Sequence, residues 1–314
     1  VPQNNSKRYG HNKYMQSADI AIIGGEKDFN LLRLATYITN NTDLKLNLIL
    51  FGDSSAHAFH YDLNKNKLYL NNEKYCCKAI FMRGDIFKYQ ETKNPQDHNS
   101  AQTWKNSISA WLIANPEIKV LNRELLTQPY FHKANSLILA KKHGIPIPET
   151  YISNSTKHIN TLHEEQKLIF KPINGGGHTK VLEKKFDDAI YKAGLIKEPY
   201  FFQETLEYPE LRIFYIGGDF HTFRLNSKAI DHREIDTPTD IVYESTPENI
   251  KDKLEKLNQE IGLRYSASDF KFCSKTKEFK FLEINTNPMF TAFDRVAEGK
   301  VCESMVKDAL QNSM

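Results

Sequence analysis

Near the C-terminus, "RYSASDFKFCSKTKEFKFLEIN" (264–285) consists of alternating apolar and polar runs on either side of a short polar stretch. Strands of period two flanking a polar turn fold as an antiparallel hairpin. With Lys275, Thr276 and Lys277 as the loop, Ser274 pairs with Glu278, and Asp269 lies opposite Glu283 on one face. Asn285 follows two residues later on that face. A slip of one residue would separate them. Opposed carboxylates repel unless a cation joins them, and magnesium suits oxygen donors of this kind. An exposed polar face with Lys271 as partner is the other reading of the hairpin alone.

The chain of 314 residues is long enough for more than one lobe around such a hairpin. A net charge of +3 gives no argument for nucleic acid or a membrane surface, and neither is expected as a partner. No apolar run approaches the ~18 residues of a membrane-crossing helix. The N-terminal stretch "VPQNNSKRYGHNKYMQS" is polar and reads as a disordered tail over 1–17, not a secretory signal. Cys76, Cys77, Cys273 and Cys302 form no C-x-x-C pair, which points to a reduced compartment, with the cytoplasm as default, and to no disulfide or zinc framework.

Residues 18–23 read as a buried strand, 28–40 as a helix, and 44–51 and 78–85 as further strands. This order predicts an N-terminal α/β lobe with a parallel sheet over 18–120. Gly24-Gly25 lacks the rest of a G-x-G-x-x-G fingerprint and reads as a tight turn. Segments 99–115 and 130–142 have helical spacing, the second stopped by Gly144, Pro146 and Pro148. Residues 121–200 form a central lobe in which a strand at 167–172 leads into a glycine-rich loop. Residues 201–314 form a C-terminal lobe of hairpins with helices at 246–262 and from Asp294 onward. The fold class is α/β, with α+β lobes after the parallel-sheet lobe.

Several segments carry charge suited to anions. Lys171 ends an apolar strand before Gly175, Gly176 and Gly177, whose backbone amides can approach a phosphate closely. A flexible turn is the other reading. In the hairpin at 211–226, a loop of Gly217, Gly218 and Asp219 pairs Ile216 with Phe220 and sets Arg212 opposite Arg224. Opposed arginines need an anion such as a triphosphate, or carboxylates such as Glu207 or Glu210. Arg83 ends the third strand of the first lobe and is a candidate substrate contact. Lys228, His232 and Arg233 follow the second arginine strand, and the planar fork of Arg233 suits a substrate carboxylate. A mixed-charge surface loop explains them equally well. Asn287 shapes the turn before Pro288 and is a further candidate substrate contact.

In order, "FKPINGGGH", "FFQETLEYPELRIFYIGG" and "SASDFKF…FLEINTNP" resemble the ATP-grasp superfamily of carboxylate–amine ligases over about 121–310. Within it the chain is similar to the ribosomal-protein glutamate ligase branch and to the graspetide ligases that make microviridin-type macrocycles. The resemblance implies an ATP-grasp fold with ATP between antiparallel lobes. It places Lys133 and Lys171 on the phosphates and the loop from Asn174 to His178 over them. Gln203, Glu204, Leu206 and Glu207 form the hinge against adenine and ribose. Arg212 and Arg224 hold phosphate or an acyl phosphate, and Asp269, Glu283 and Asn285 hold two magnesium ions. The implied reaction forms an amide or ester on an amino-acid or peptide substrate through an acyl phosphate. A kinase acting on an alcohol and a non-catalytic ATP-binding regulator are the alternatives, and a homodimer is left open. Glu210 replaces an expected Asp, Thr179 follows His178 where a further glycine is expected, and "MFTAFD" replaces a tryptophan-rich ending. These departures bear on the substrate.

Overall fold

The computed structural model describes residues 15–52, 57–83, 95–127, 133–173, 179–183, 194–226 and 240–311, with backbone alone for 15 and 95–101. They fall into two compact units, one drawn from Val1–Leu121 with Ala309–Met314 and the other from Asn122–Asp308.

In the first unit β1 (Met15–Gly25) is followed by α1 (Phe29–Asn41), β2 (Leu46–Phe51), β3 (Phe59–Asp62), β4 (Lys67–Leu70), β5 (Glu73–Arg83), α2 (Pro95–Ala114) and β6 (Lys119–Leu121). Strands β2, β1, β5 and β6 run parallel, the arrangement expected of buried strands joined through helices. The sheet also carries β3 and β4 as an antiparallel extension on β5. Helix α1 starts where the Asp28 carboxylate accepts the Asn30 N–H, and it buries Leu31, Leu34, Ala35 and Ile38 at helical spacing. The expected tail 1–17 is too long at its end. Met15, Gln16 and Ser17 pair with Lys74, Tyr75 and Cys76, because ladder hydrogen bonds come from backbone and need no apolar side chain.

In the second unit a 3-10 turn over Arg123–Leu126 precedes α3 (Lys133–Lys142). Next come β7 (Thr150–Ser155), α4 (Thr156–Glu165), β8 (Leu168–Pro172), β9 (Lys180–Val181) and β10 (Leu195–Glu204). These strands form a sheet in the order β7-β10-β8-β9. Leu168, Leu182, Ile196 and Phe202 pack with Ile159 of α4. After this come β11 (Glu207–Ile216), β12 (Asp219–Asn226), β13 (Asp240–Glu244), α5 (Glu248–Ile261), β14 (Tyr265–Cys273), β15 (Glu278–Asn285), α6 (Thr291–Val296) and α7 (Lys300–Leu310). The second sheet has the order β13-β12-β11-β14-β15 and is antiparallel at every described pairing.

One face of this second sheet is apolar. Leu211, Ile213, Phe270, Phe281 and Ile284 share a core with Ile250, Leu254, Leu257 and Ile261 of α5 and with Leu137 and Ala140 of α3. Burying each large side chain contributes roughly 1.5–3 kcal/mol. The opposite face carries the charged residues of the candidate site. Among the described residues, no helix is long and apolar enough to cross a membrane.

Candidate functional site

Cross-strand partners share a face of a sheet, so the strand pairings show which charges stand together. Arg212 pairs with Asp269, which pairs with Glu283. Two residues along, Glu210 pairs with Lys271, which pairs with Lys280. Each row is extended by an element outside the sheet. Lys133, the first residue of α3, places Nζ 2.9 Å from Glu283 Oε2. Glu204, the last residue of β10, accepts from Lys280 Nζ at 2.6 Å. One row therefore reads Arg212⁺, Asp269⁻, Glu283⁻, Lys133⁺, and its neighbour Glu210⁻, Lys271⁺, Lys280⁺, Glu204⁻.

The Arg212–Asp269 contact is a two-pronged fork: Nε and Nη2 each donate to a carboxylate oxygen at 2.7 Å. Burial opposes the charge on Arg212, but Asp269 outweighs it and keeps the guanidinium firmly protonated. Burial pushes the Asp269 pKa up, offset only in part by Arg212 and reinforced by the like charges of Glu210 and Glu283. Glu283 is shifted the other way: burial would raise its pKa, but Lys133, Lys171 and Arg212 together hold it below the usual carboxylate value. Asn285 donates Nδ2 to Asp269 Oδ2 at 3.1 Å and keeps its Oδ1 as a further oxygen donor.

Among the described residues, no group of three or more His, Cys, Asp and Glu side chains is arranged to hold a metal ion. The set here is two carboxylates and an amide. Their oxygen chemistry, and an aspartate burdened by neighbouring negative charge, fit a hard divalent cation.

Lys171 is 7% exposed, and its Nζ lies 6.0 Å from the centre of the Phe201 ring, its cross-strand partner. Gln203 and its partner Ile169 lie two residues along on that same face. The Gln203 amide orientation is fixed by a chain of donors. The Thr150 hydroxyl donates to Pro148 O at 2.8 Å, so it must accept from Gln203 Nε2, also at 2.8 Å. Gln203 Oε1 is thereby left buried, with no hydrogen-bond partner among the described residues.

Some expected contacts are absent. The hairpin of β11 and β12 turns on two residues, Gly217 and Gly218, with φ of 58° and 106°. That geometry requires positive φ at both positions and pairs Ile216 with Asp219. The expected three-residue loop is therefore wrong by one. Arg212 faces Phe223, and Arg224 faces Leu211, which puts the two arginines on opposite faces of the sheet. Arg224 instead bonds Glu244 through Nε at 2.8 Å and is 42% exposed.

The turn of the β14–β15 hairpin was also misplaced, because Cys273, not Ser274, pairs with Glu278. Leu282 is an extra residue between the Phe281 and Glu283 pairings, and this bulge restores the Asp269–Glu283 pair. Glu204 and Glu207, expected near base and ribose, are both engaged within the protein. Glu204 is tied to Lys280 and to the Glu149 N–H, and Glu207 accepts the Ser274 hydroxyl at 2.6 Å. Leu206 lies in the connector between β10 and β11. Arg83 belongs to the first unit, where it is 2% exposed and donates Nε to Asp28 Oδ2 at 2.8 Å. Burial with that carboxylate removes the open face expected for substrate contact. Asn287 is half-buried between β15 and α6. Gly175, Gly176, Gly177, His178, Lys228, His232 and Arg233 lie outside the described residues.

No protein-family model matches the chain, and no curated protein matches it. Solved structures do. The ATP-grasp ligase PsnB complexed with minimal precursor is similar at a TM-score of 0.74 and 20% identity, over 93% of this chain and 99% of that one. The chain has the ATP-grasp fold. The macrocyclase MdnC bound with precursor peptide MdnA, from Microcystis aeruginosa MRC, is similar at a TM-score of 0.72 and 20% identity, over 94% and 100% of the two chains. The VanG D-Ala:D-Ser ligase from Enterococcus faecalis is similar at a TM-score of 0.59 and 16% identity, also over 94% and 100%.

This example of the ATP-grasp fold contains residues that the sequence did not single out. Lys280 and the pairing of Lys271 with Glu210 at 3.9 Å form a whole row of the charged face. Their signal was present, since Lys271 and Lys280 alternate with phenylalanines on strands already identified. Asn122 is a buried pin: its side chain bonds Arg264 N, Tyr265 N, Tyr265 O and Thr286 O. It thereby fixes both the start of β14 and the segment after β15. No local pattern announces that role.

Proposed function

We propose that the chain is an ATP- and magnesium-dependent ligase that activates a carboxylate as an acyl phosphate and transfers it to a nucleophile, on an amino-acid or peptide substrate. The observation that carries this reading is the row Arg212–Asp269–Glu283–Lys133. It puts paired carboxylates, a forked guanidinium and an ammonium on one face of a rigid sheet. The fold supports it, and similar structures include PsnB complexed with minimal precursor, Mg and ADP.

In this reading Asp269, Glu283 and Asn285 hold magnesium, which neutralises charge on the phosphates when bound. Lys133 and Lys171 supply cations to the phosphates, and Gln203 Oε1 accepts from the exocyclic amine of adenine. Glu204 anchors the hinge through Lys280 instead of touching ribose. A carboxylate oxygen of the substrate attacks the γ-phosphorus and ADP departs with the electrons of the broken P–O bond. The nucleophile then attacks the acyl carbon, loses its proton and expels inorganic phosphate. Arg212 meets the anionic acyl phosphate. Such chemistry requires positioning and charge neutralisation more than a nucleophilic side chain.

The test is incubation with MgATP and a panel of amino acids and peptides. ADP and free phosphate formed in equal amounts with a condensed product are expected. A stable phosphorylated product would mean a kinase, and nucleotide binding without ADP formation across the panel would mean a non-catalytic protein.

A further inference from the structure

"MFTAFD", where the sequence departs from its relatives, contains the aromatic ring that lies against Arg212. The segment is divided among distinct contacts. Met289 is 67% exposed, while Phe290 is fully buried against Tyr265. Asp294, also fully buried, accepts the Cys302 N–H at 2.9 Å and so ties α6 to α7. Between these anchors, Phe293 places its ring centre 5.3 Å from Arg212 Cζ. Phe214 and Phe223 pack against the same ring, at 5.3 and 5.1 Å between centres.

We infer that Phe293 is a positioning residue for Arg212. The inference rests on the ligase reading and deepens it. Asp269 holds the Nε–Nη2 edge of the guanidinium, whose Cζ lies over the Phe293 ring. Nη1 is then the one guanidinium nitrogen with no hydrogen bond among the described residues. A cation over an aromatic face is attracted by the ring quadrupole, most strongly where water is excluded. Arg212 is thus fixed by two elements far apart in sequence, β14 and α6, and presents Nη1 to an anionic group. Catalytic donors act through such fixed placement, because none of their reorganisation is left to the transition state.

The experiment compares Phe293→Leu, Phe293→Tyr and Leu254→Ala in the full chain. Leu254 of α5 is buried in the core on the opposite face of the sheet from Arg212, so its truncation costs stability without touching that side chain. The first readout is the Nε–Hε resonance of Arg212 in arginine-labelled protein, assigned through Arg212→Lys. Phe293→Leu is expected to shift it by removing the ring current, while Leu254→Ala leaves it in place despite a comparable loss of Tm. The second readout is ADP release from MgATP with the acceptor panel. Phe293→Leu is expected to lower kcat about tenfold with the KM for ATP unchanged, and Phe293→Tyr to retain it. An unmoved Arg212 resonance in Phe293→Leu, or an equal loss of kcat in Leu254→Ala, would overturn the proposal. If the wild-type chain releases no ADP, the ligase reading fails, and the Arg212 resonance alone decides whether Phe293 holds that side chain.

Discussion

Asp269 and Glu283 face each other across β14 and β15, although the turn joining those strands is one residue out of step with their pairing. The bulge at Leu282 absorbs the difference. It also brings Lys280 and Glu283, three residues apart, onto a single face, which regular alternation forbids. The two charged rows exist side by side because of that irregularity.

Glu283→Gln keeps the shape of the side chain and removes its charge. ADP release from MgATP is expected to fall by at least ~100-fold, the loss typical of a group aimed at transition-state charge. Steady-state kinetics with magnesium titration checks this, and wild-type turnover in the variant would remove Glu283 from the site.

The two arginines of the β11–β12 hairpin should behave differently. Arg212→Lys loses the fork to Asp269 and is expected to lower turnover by ~100-fold. Arg224→Lys alters a half-exposed pair on the other face and should change stability by under ~1 kcal/mol, with turnover near wild type. Equal losses in both would mean that the opposite-face assignment does not govern function.

Lys280 and Glu204 form a buried pair, so truncating one partner strands the other. Lys280→Met is expected to cost about 3–5 kcal/mol by denaturant unfolding, and adding Glu204→Leu to recover part of it, since the Glu149 N–H then loses its acceptor. Burial alone would lower the Lys280 pKa, but Glu204 outweighs it and raises the value. The pair's contribution is therefore whole below the ordinary lysine value of 10.5 and is lost as pH rises through the higher folded value. Wild-type stability should fall more steeply than that of Lys280→Met above this pH.

His221 offers a test at mild acidity. Its ring nitrogens meet the Tyr243 hydroxyl at 3.1 Å and the Ser304 hydroxyl at 2.9 Å, and Ser304 donates onward to Asp219. Burial lowers its pKa below the ordinary 6.5. The unfolded chain then binds the proton more readily, so stability declines as pH falls below that value and levels off once the folded value is passed. In His221→Gln, thermal melts from pH 7 to pH 5 should lose this part of the slope. An unchanged slope would show that His221 does not contribute to it.

Much of the fold was legible in particular segments. The stripe Ile250, Leu254, Leu257 and Ile261, ended by Gly262 at φ 78°, is an amphipathic helix by spacing alone. The alternation on β14 and β15 likewise announced a hairpin with Asp269 and Glu283 together. Elsewhere the signal was weaker. β3 and β4 are strands of only four residues each, β3 half-exposed at the sheet edge, and no strand was expected there. The polar start of β1 resembled a tail because its pairing uses backbone groups only.

What the sequence determined by itself is periodicity: which residues lie on strands and helices, and which faces of them are apolar. Register it determined only in part, since a two-residue turn and a three-residue turn have the same composition and differ by a flip of every side chain. The Gly217-Gly218 turn sent Arg224 to the far side of the sheet, while the bulge at Leu282 kept Glu283 beside Asp269. The partners supplied from outside the sheet were decided only by tertiary structure. Lys133 on Glu283, Lys280 on Glu204 and Phe293 over Arg212 join elements separated along the chain. Burial sets the energy of those contacts, and burial is a property of the packed molecule.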